Sequence, residues 1–253
     1  MWEDVFTRLQ RLLNLDNQLQ VFGAENHRYY LADQVSEEAL AFAEMRLRVV
    51  LPNELRDFYL NWGNGEVGPH YDLRPIEMVT GYRAGEAYTD AARLRARAIE
   101  QGEATESDKY VAVERGQLTG LIAIIDEGCG HELCLVTNGP RIGEVVDVSE
   151  DGYIHETGRT LIQTYEQWVE RELGKFEMVR DLMDSAASLE EINEAVREKF
   201  ESYDAEDIIV SIADVHKPAA LFGSGGSRIY SGATQTPWYE KVLRDWREAK
   251  TNS

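Results

Sequence analysis

Basic residues are scarce in this chain. Its 26 Lys and Arg stand against 46 Asp and Glu, a net charge of −20 over 253 residues. Such a surface repels the phosphates of nucleic acids and the anionic face of a membrane, so neither is an expected partner. It attracts a basic partner instead, although acidity also serves plain solubility. Cysteine is scarcer still. Cys129 and Cys134 are the only two, too few for a disulfide framework, and this points to a reducing compartment, the cytoplasm. Long apolar runs are missing as well: no uncharged stretch approaches the ~20 residues of a membrane span. The opening residues MWEDVFTRLQ carry acids at once and do not read as a secretory signal.

The densest apolar stretch is residues 118–148, LTGLIAIIDEGCGHELCLVTNGPRIGEVVDV. It holds three short runs rich in Val, Ile and Leu, bounded by Gly, Asn and Pro, each too short for a helix. Connections this short suit antiparallel neighbours, because a parallel crossover needs a dozen or more residues. The stretch therefore predicts a three-stranded meander, apolar enough to be covered on both faces. Tyr153-Ile154-His155-Glu156 after the Ser149-Glu150-Asp151-Gly152 turn predicts a return strand, and residues 110–114 a strand before the meander. Tyr71 to Ile76 reads as a strand or loop along a sheet edge.

Helices flank this sheet. Trp2, Val5, Phe6, Leu9, Leu12 and Leu13 form one apolar stripe. Ser36 predicts an N-cap, with Glu37 and Glu38 in the first turn and Leu40, Ala43 and Leu47 inside. Pro52 opens a helix whose inner face is Leu55, Phe58, Tyr59 and Trp62, and Gly63 suits the left-handed position past its end. Residues 84–101 predict an Ala/Arg-rich helix whose Arg93, Arg95 and Arg97 fall on different faces, which suits a solvated surface better than a phosphate site. Residues 101–109 form a polar loop. Thr160 caps a helix stopped by Gly174. Beyond it, Ser188 and Glu191 have the spacing of a capping box, over a stripe of Ile192, Ala195, Val196 and Phe200. Residues 215–253 turn basic and read as a Gly/Ser-rich loop and a short helix docked on the main body.

Three pieces, taken in order, resemble the SUKH superfamily. They are the acidic helix running into Leu51-Pro52 and ending in Trp62-Gly63-Asn64-Gly65; the Ile125-Asp126-Glu127-Gly128-Cys129-Gly130 stretch with Asn138-Gly139; and the closing Thr164-Tyr165-Glu166-Gln167-Trp168-Val169 helix. The resemblance covers about residues 32–174. That family contains bacterial immunity proteins of toxin systems and a fungal cell-wall regulator. It implies an α+β fold, a mostly antiparallel sheet flanked by helices, acting by binding another protein with no catalytic residues to carry over. The Arg-rich helix and polar loop at 84–109 are long for the family, and residues 175–253 lie beyond its end. The expected organisation is thus a SUKH-like α+β domain at 1–174, an acidic helical extension at 175–214, and the docked tail at 215–253.

Side-chain chemistry agrees with a binding role. Cys129, His131 and Cys134 invite a zinc reading, but a structural site needs about four ligands and no second cysteine pair exists. Cys134 sits in an apolar run, where a free thiol behaves as a small hydrophobe. Gly-Cys-Gly reads as a tight turn before a nucleophile. Neither catalytic residue, metal nor cofactor is expected. What remains is a set of acids around the central hairpins: Asp126, Glu127, Glu132, Glu144, Asp147, Glu150, Asp151 and Glu156. They read either as a solvated rim or as the surface that meets a basic partner. The expected function is an immunity protein that neutralises a cognate, basic toxin by stoichiometric binding. The alternative is an intracellular scaffold on the same domain. Sequence leaves the oligomeric state open.

Overall fold

The computed structural model describes residues 2–213 apart from Lys109, Tyr110, Val113, Ala186 and Tyr203. The expected loop and helix at 215–253 lie outside the described residues. The described residues form two compact units, one made of Trp2 with Asn26–Glu166, the other of Glu3–Glu25 with the described residues from Gln167 to Ala213.

A single turn α2 (Ala24–His27), divided between the units at Asn26, leads to α3 (Glu37–Leu47) and α4 (Asn53–Asn61) of the first unit. The Ser36 hydroxyl accepts from Ala39 N at 3.2 Å and starts α3. Leu40, Ala43 and Leu47 are buried as their spacing predicts. Helix α4 begins behind Pro52 and buries Leu55, Phe58 and Tyr59. Its end differs from the expectation. Gly63 is not left-handed; Gly65 is, at φ +80°. Gly63 is needed for space, because a Cβ there would come within 2.6 Å of the Ala32 carbonyl oxygen.

The sheet is built from β1 (Asp72–Leu73), β2 (Thr80–Tyr82), β3 (Leu121–Gly128), β4 (His131–Val136), β5 (Glu144–Val148) and β6 (Ile154–Thr160). Its order is β1-β3-β4-β5-β6, with β2 also on β3, and every pairing is antiparallel. The expected meander is β3–β4–β5, and β6 is the return strand. Residues Val111, Ala112 and Glu114 are not strand, and a 3₁₀ turn at Arg115–Gln117 follows them; Tyr110 and Val113 lie outside the described residues. Cys129 and Gly130 make a two-residue hairpin turn with φ of +51° and +77°, the left-handed pair that matches the twist of the strands.

Both faces of the sheet are covered. Directly paired residues share a face, and successive residues alternate. Leu121, Ala123, Cys134, Val136, Val146, Val148 and Ile154 make one apolar layer with Tyr88, Leu94 and Leu118. Leu94 belongs to α5 (Ala91–Glu100), shorter than the predicted 84–101 because Asp90 accepts from Arg93 N at 2.8 Å and caps it there. The long segment between β2 and β3 is therefore a lid on this face. Arg95 ties the polar loop to α5, donating to the carbonyls of Glu106 and Asp108 at 2.7 Å each. On the other face Ile122, Ile125, Leu135 and Val145 are fully buried, each contributing about 1.5–3 kcal/mol. Trp2 packs edge-on against Phe58 and Tyr165, with ring centroids 5.1 Å apart in both cases.

The second unit holds α1 (Trp2–Leu15) apart from Trp2, the part of α6 (Leu161–Asp184) from Gln167 on, α7 (Leu189–Phe200) and α8 (Ala205–Ala213). Thr160 receives Gln163 N at 3.4 Å, the expected cap. Gly174 does not stop the helix, which runs ten residues further, to Asp184. A glycine costs a helix only about 1 kcal/mol relative to alanine, and tertiary packing overrides it. The capping box of Ser188 and Glu191 is present. Asp16, fully buried, accepts from Gln20 N and Val21 N and from the Ser211 hydroxyl. Lys175 is held between Glu172 and Asp204, at 2.6 Å from each. Among the described residues no helix is long and apolar enough to cross a membrane.

Candidate partner-binding surface

Pairing register sorts the eight hairpin acids. Glu132 lies two residues before Cys134, and Glu156 pairs with Val146, so both share the face capped by the α5 segment. Glu132 is only 8% exposed. Its Oε1 receives Arg74 at 2.7 Å, and its Oε2 receives Arg115 at 3.1 Å and the Tyr82 hydroxyl. Glu132 is thus a buried anchor beneath the lid, not part of an exposed rim. Glu156 accepts from the Tyr88 hydroxyl at 3.1 Å, from Ala91 N at the start of α5 at 3.2 Å, and pairs with Arg141 at 2.6 Å. Burial opposes its ionisation, yet these donors outweigh burial and hold the carboxyl below its ordinary range. Glu144, at the opposite end of β5, is likewise held low, first by Arg141, whose Nε lies 2.6 Å from Oε2, and also by Gly158 N at 3.1 Å. Arg141 in turn lies over the Tyr88 ring at 5.6 Å.

The other five acids gather at the end of the sheet where the β3–β4 and β5–β6 turns emerge. Glu150 and Asp151 are exposed. Asp126 receives the backbone of Gly128 at 2.8 Å, and its closest cation, Arg74, stands at 3.7 Å. Glu127 pairs with His70 at 2.8 Å, and Asp147 faces His131 at 3.7 Å. The Asp147 carboxyl is pushed up by burial and by the Glu127 charge, against the opposing pull of His131. Glu127, His131 and Asp147 offer ligand atoms that all lie within 4.8 Å of one another, a set able to hold a cation.

Two acids that sequence reasoning missed join this end. Glu66 bridges to Leu73, and Asp72 pairs directly with Asp126 across β1 and β3. Burial and the Asp72 charge raise the Glu66 carboxyl; burial and the Asp126 charge raise that of Asp72, with Arg74 opposing. Nothing local marks them, because only the register of a two-residue strand brings them together. Cys129, His131 and Cys134, the residues that invite a zinc reading, do not assemble. Cys134 is fully buried in the apolar layer, on the face opposite the one where His131 meets Asp147, and burial pushes its thiol far up. That is the chemistry of a small hydrophobe, not of a nucleophile.

A second surface is apolar. Helix α3 buries one side but exposes Phe42 at 63% and Met45 at 67% on the other. Met78, 64% exposed, sits in the turn whose Ile76 and Val79 carbonyls are bound by Arg46 of the same helix, at 2.9 Å each. Exposed Glu37, Glu38 and Glu77 lie around them in sequence. Grouped exposed apolar side chains of this size mark contact surfaces.

Helices packed on both sides of one antiparallel sheet, with acids crowded at its turn end, define an α+β domain rather than a doubly wound enzyme fold. Residues 34–171 match the model of the SMI1 / KNR4 family (SUKH-1), more than half of the chain, which therefore belongs to that family. Its members include immunity proteins and a cell-wall regulator. No curated protein and no solved structure matches the chain.

Proposed function

We propose that this protein is an immunity protein that neutralises a cognate bacterial toxin by stoichiometric binding, without catalysis of its own. The observation that carries the reading is the crowding of Glu66, Asp72 and Asp126 at the sheet edge. Burial and the Asp126 charge raise the proton affinity of Asp72, and burial and the Asp72 charge raise that of Glu66, a cost that a basic partner surface would recover on binding. Together with Glu127, Asp147, Glu150 and Asp151, these acids would steer a positively charged toxin domain to the turn end. Phe42, Met45 and Met78 supply apolar anchors of the kind that hold a complex once it has formed. Glu132, Glu144 and Glu156 are spent on the fold and take a lesser part. Family membership supports a protein partner, and immunity proteins are among the family's members.

The runner-up is a scaffold or regulator that uses the same domain to recruit another protein, also represented in the family. Mixing the purified protein with the toxin encoded beside its gene separates the two. An immunity protein forms a one-to-one complex and abolishes toxin activity in proportion to complex formed. Binding without loss of activity favours the scaffold, and no binding to the neighbouring toxin removes the immunity reading.

A further inference from the structure

At the turn end, β3, β4 and β5 each contribute one side chain to a compact cluster on the sheet face opposite Cys134. Leu133 pairs with Asp147, so His131, two residues before Leu133, lies on the same face and diagonal to Asp147. Glu127 follows Asp126, across the irregularity in the β3–β4 ladder between Asp126 and Gly128. The result is one imidazole and two carboxylates with ligand atoms within 4.8 Å of one another.

We propose that Glu127, His131 and Asp147 form a binding site for a divalent transition-metal cation of the zinc class. The ligand atoms of a tetrahedral zinc site sit roughly 3.3–3.5 Å apart, given metal–ligand bonds of about 2.0–2.2 Å. Small rotamer adjustments of these side chains close the difference. Three protein ligands leave one position for water, the arrangement of an open zinc site. The imidazole selects zinc, cobalt or nickel over magnesium and calcium, which prefer all-oxygen sets.

Two further observations favour a cation here over a chance meeting of acids. Asp147 Oδ1 is buried, and no hydrogen-bond donor among the described residues reaches it; the nearest positive group is His131 Nδ1, at 3.7 Å. A buried carboxylate oxygen without a donor is left unsatisfied, and a metal bond would satisfy it. Glu127 is also oriented from behind, by His70 Nε2 at 2.8 Å from its Oε1, as ligating carboxylates are held by outer partners. This inference does not rest on the toxin reading, since the ligands all belong to this chain.

The test uses the full, tag-free chain, stripped with chelator and desalted. Titration calorimetry with Zn²⁺ should show one ion per chain at micromolar affinity, with Mg²⁺ failing to compete. Co²⁺ should give the visible absorption of a low-coordinate site with nitrogen and oxygen ligands. D147N and H131Q, each near-isosteric and verified as folded by circular dichroism, should weaken Zn²⁺ binding by about tenfold or more and abolish the Co²⁺ band. The double variant E150Q/D151N, which removes exposed acids of the neighbouring turn, should leave both intact. Absence of binding below millimolar, or binding that D147N and H131Q leave unchanged, overturns the site.

Discussion

Glu132, Glu144 and Glu156 sit within the same hairpins as Asp126, Glu127, Asp147, Glu150 and Asp151, yet the two groups do opposite things. The first three are bound by Arg74, Arg115 and Arg141, by tyrosine hydroxyls and by backbone N–H groups. The other five have their closest cation at 3.7 Å, have only histidine, or stand in solvent. What separates them is the face and end of the sheet. Glu132 and Glu156 point at a lid that supplies donors, and Glu144 meets Arg141 in the connection just before it. A carboxylate counted in the net charge is thus not always a carboxylate offered to a partner.

The largest effect expected from this contrast is on stability. Replacing Glu132 by Ala leaves Arg74 and Arg115 facing a buried hole without their shared acceptor. Breaking a buried pair from one side costs about 3–5 kcal/mol. The same change at Glu150, which is exposed, should stay within about 0.5 kcal/mol. Urea unfolding of both variants measures the difference. Equal costs would erase the distinction between the two groups.

How much of this could be read from the sequence follows from how local each signal is. The α1 stripe, the Ser36 cap, the Ser188–Glu191 box and the apolar runs of β3–β5 each lie within a few consecutive residues, and all form as expected. Strand β2 was illegible: Thr80, Gly81 and Tyr82 carry neither alternation nor buried apolar residues. Gly174 was misread because helix propensity is weak beside the packing of a long helix. The site fared worse for a similar reason. Arg74, Tyr82 and Arg115 reach Glu132 from distant parts of the chain, and Asp72 meets Asp126 only through strand register. The residues of the hairpins were visible; the partners that divide them were not.

Two binding predictions extend the contrast to the proposed complex. Phe42→Ala with Met45→Ala removes the exposed side of α3 and should accelerate dissociation from the toxin, with a total loss of about 2 kcal/mol or more if these are central anchors. Because both side chains are exposed, unfolding midpoints should barely move. Neutralising Asp126, Glu150 and Asp151 together should act on arrival instead. The association rate at low salt should fall about tenfold, and its salt dependence should flatten. Stopped-flow mixing over a range of ionic strength reads both quantities. If the α3 variant slowed association and the acid variant sped dissociation, the assignment of steering to acids and holding to apolar groups would be reversed.

The smallest effect is one of sign, and it addresses the crowding itself. Asp72 has its carboxyl raised by burial and by Asp126. A carboxyl raised in the folded state binds its proton more tightly there than in the unfolded chain, so folding is penalised above that raised value. The penalty fades as pH falls through it toward the ordinary 3.8. Asp72→Asn should therefore stabilise slightly at pH 7 and lose that advantage in acid. Glu144 and Glu156 are lowered instead. They contribute stability above the ordinary 4.5 of a glutamate, which is lost as pH falls through their depressed folded values. Arg141→Gln should remove that contribution at pH 7 and flatten the acid limb of the stability curve. Denaturation series on the two variants from neutral to acid pH should show difference curves of opposite slope. A shared slope would mean that the crowded acids carry no strain for a basic partner to relieve.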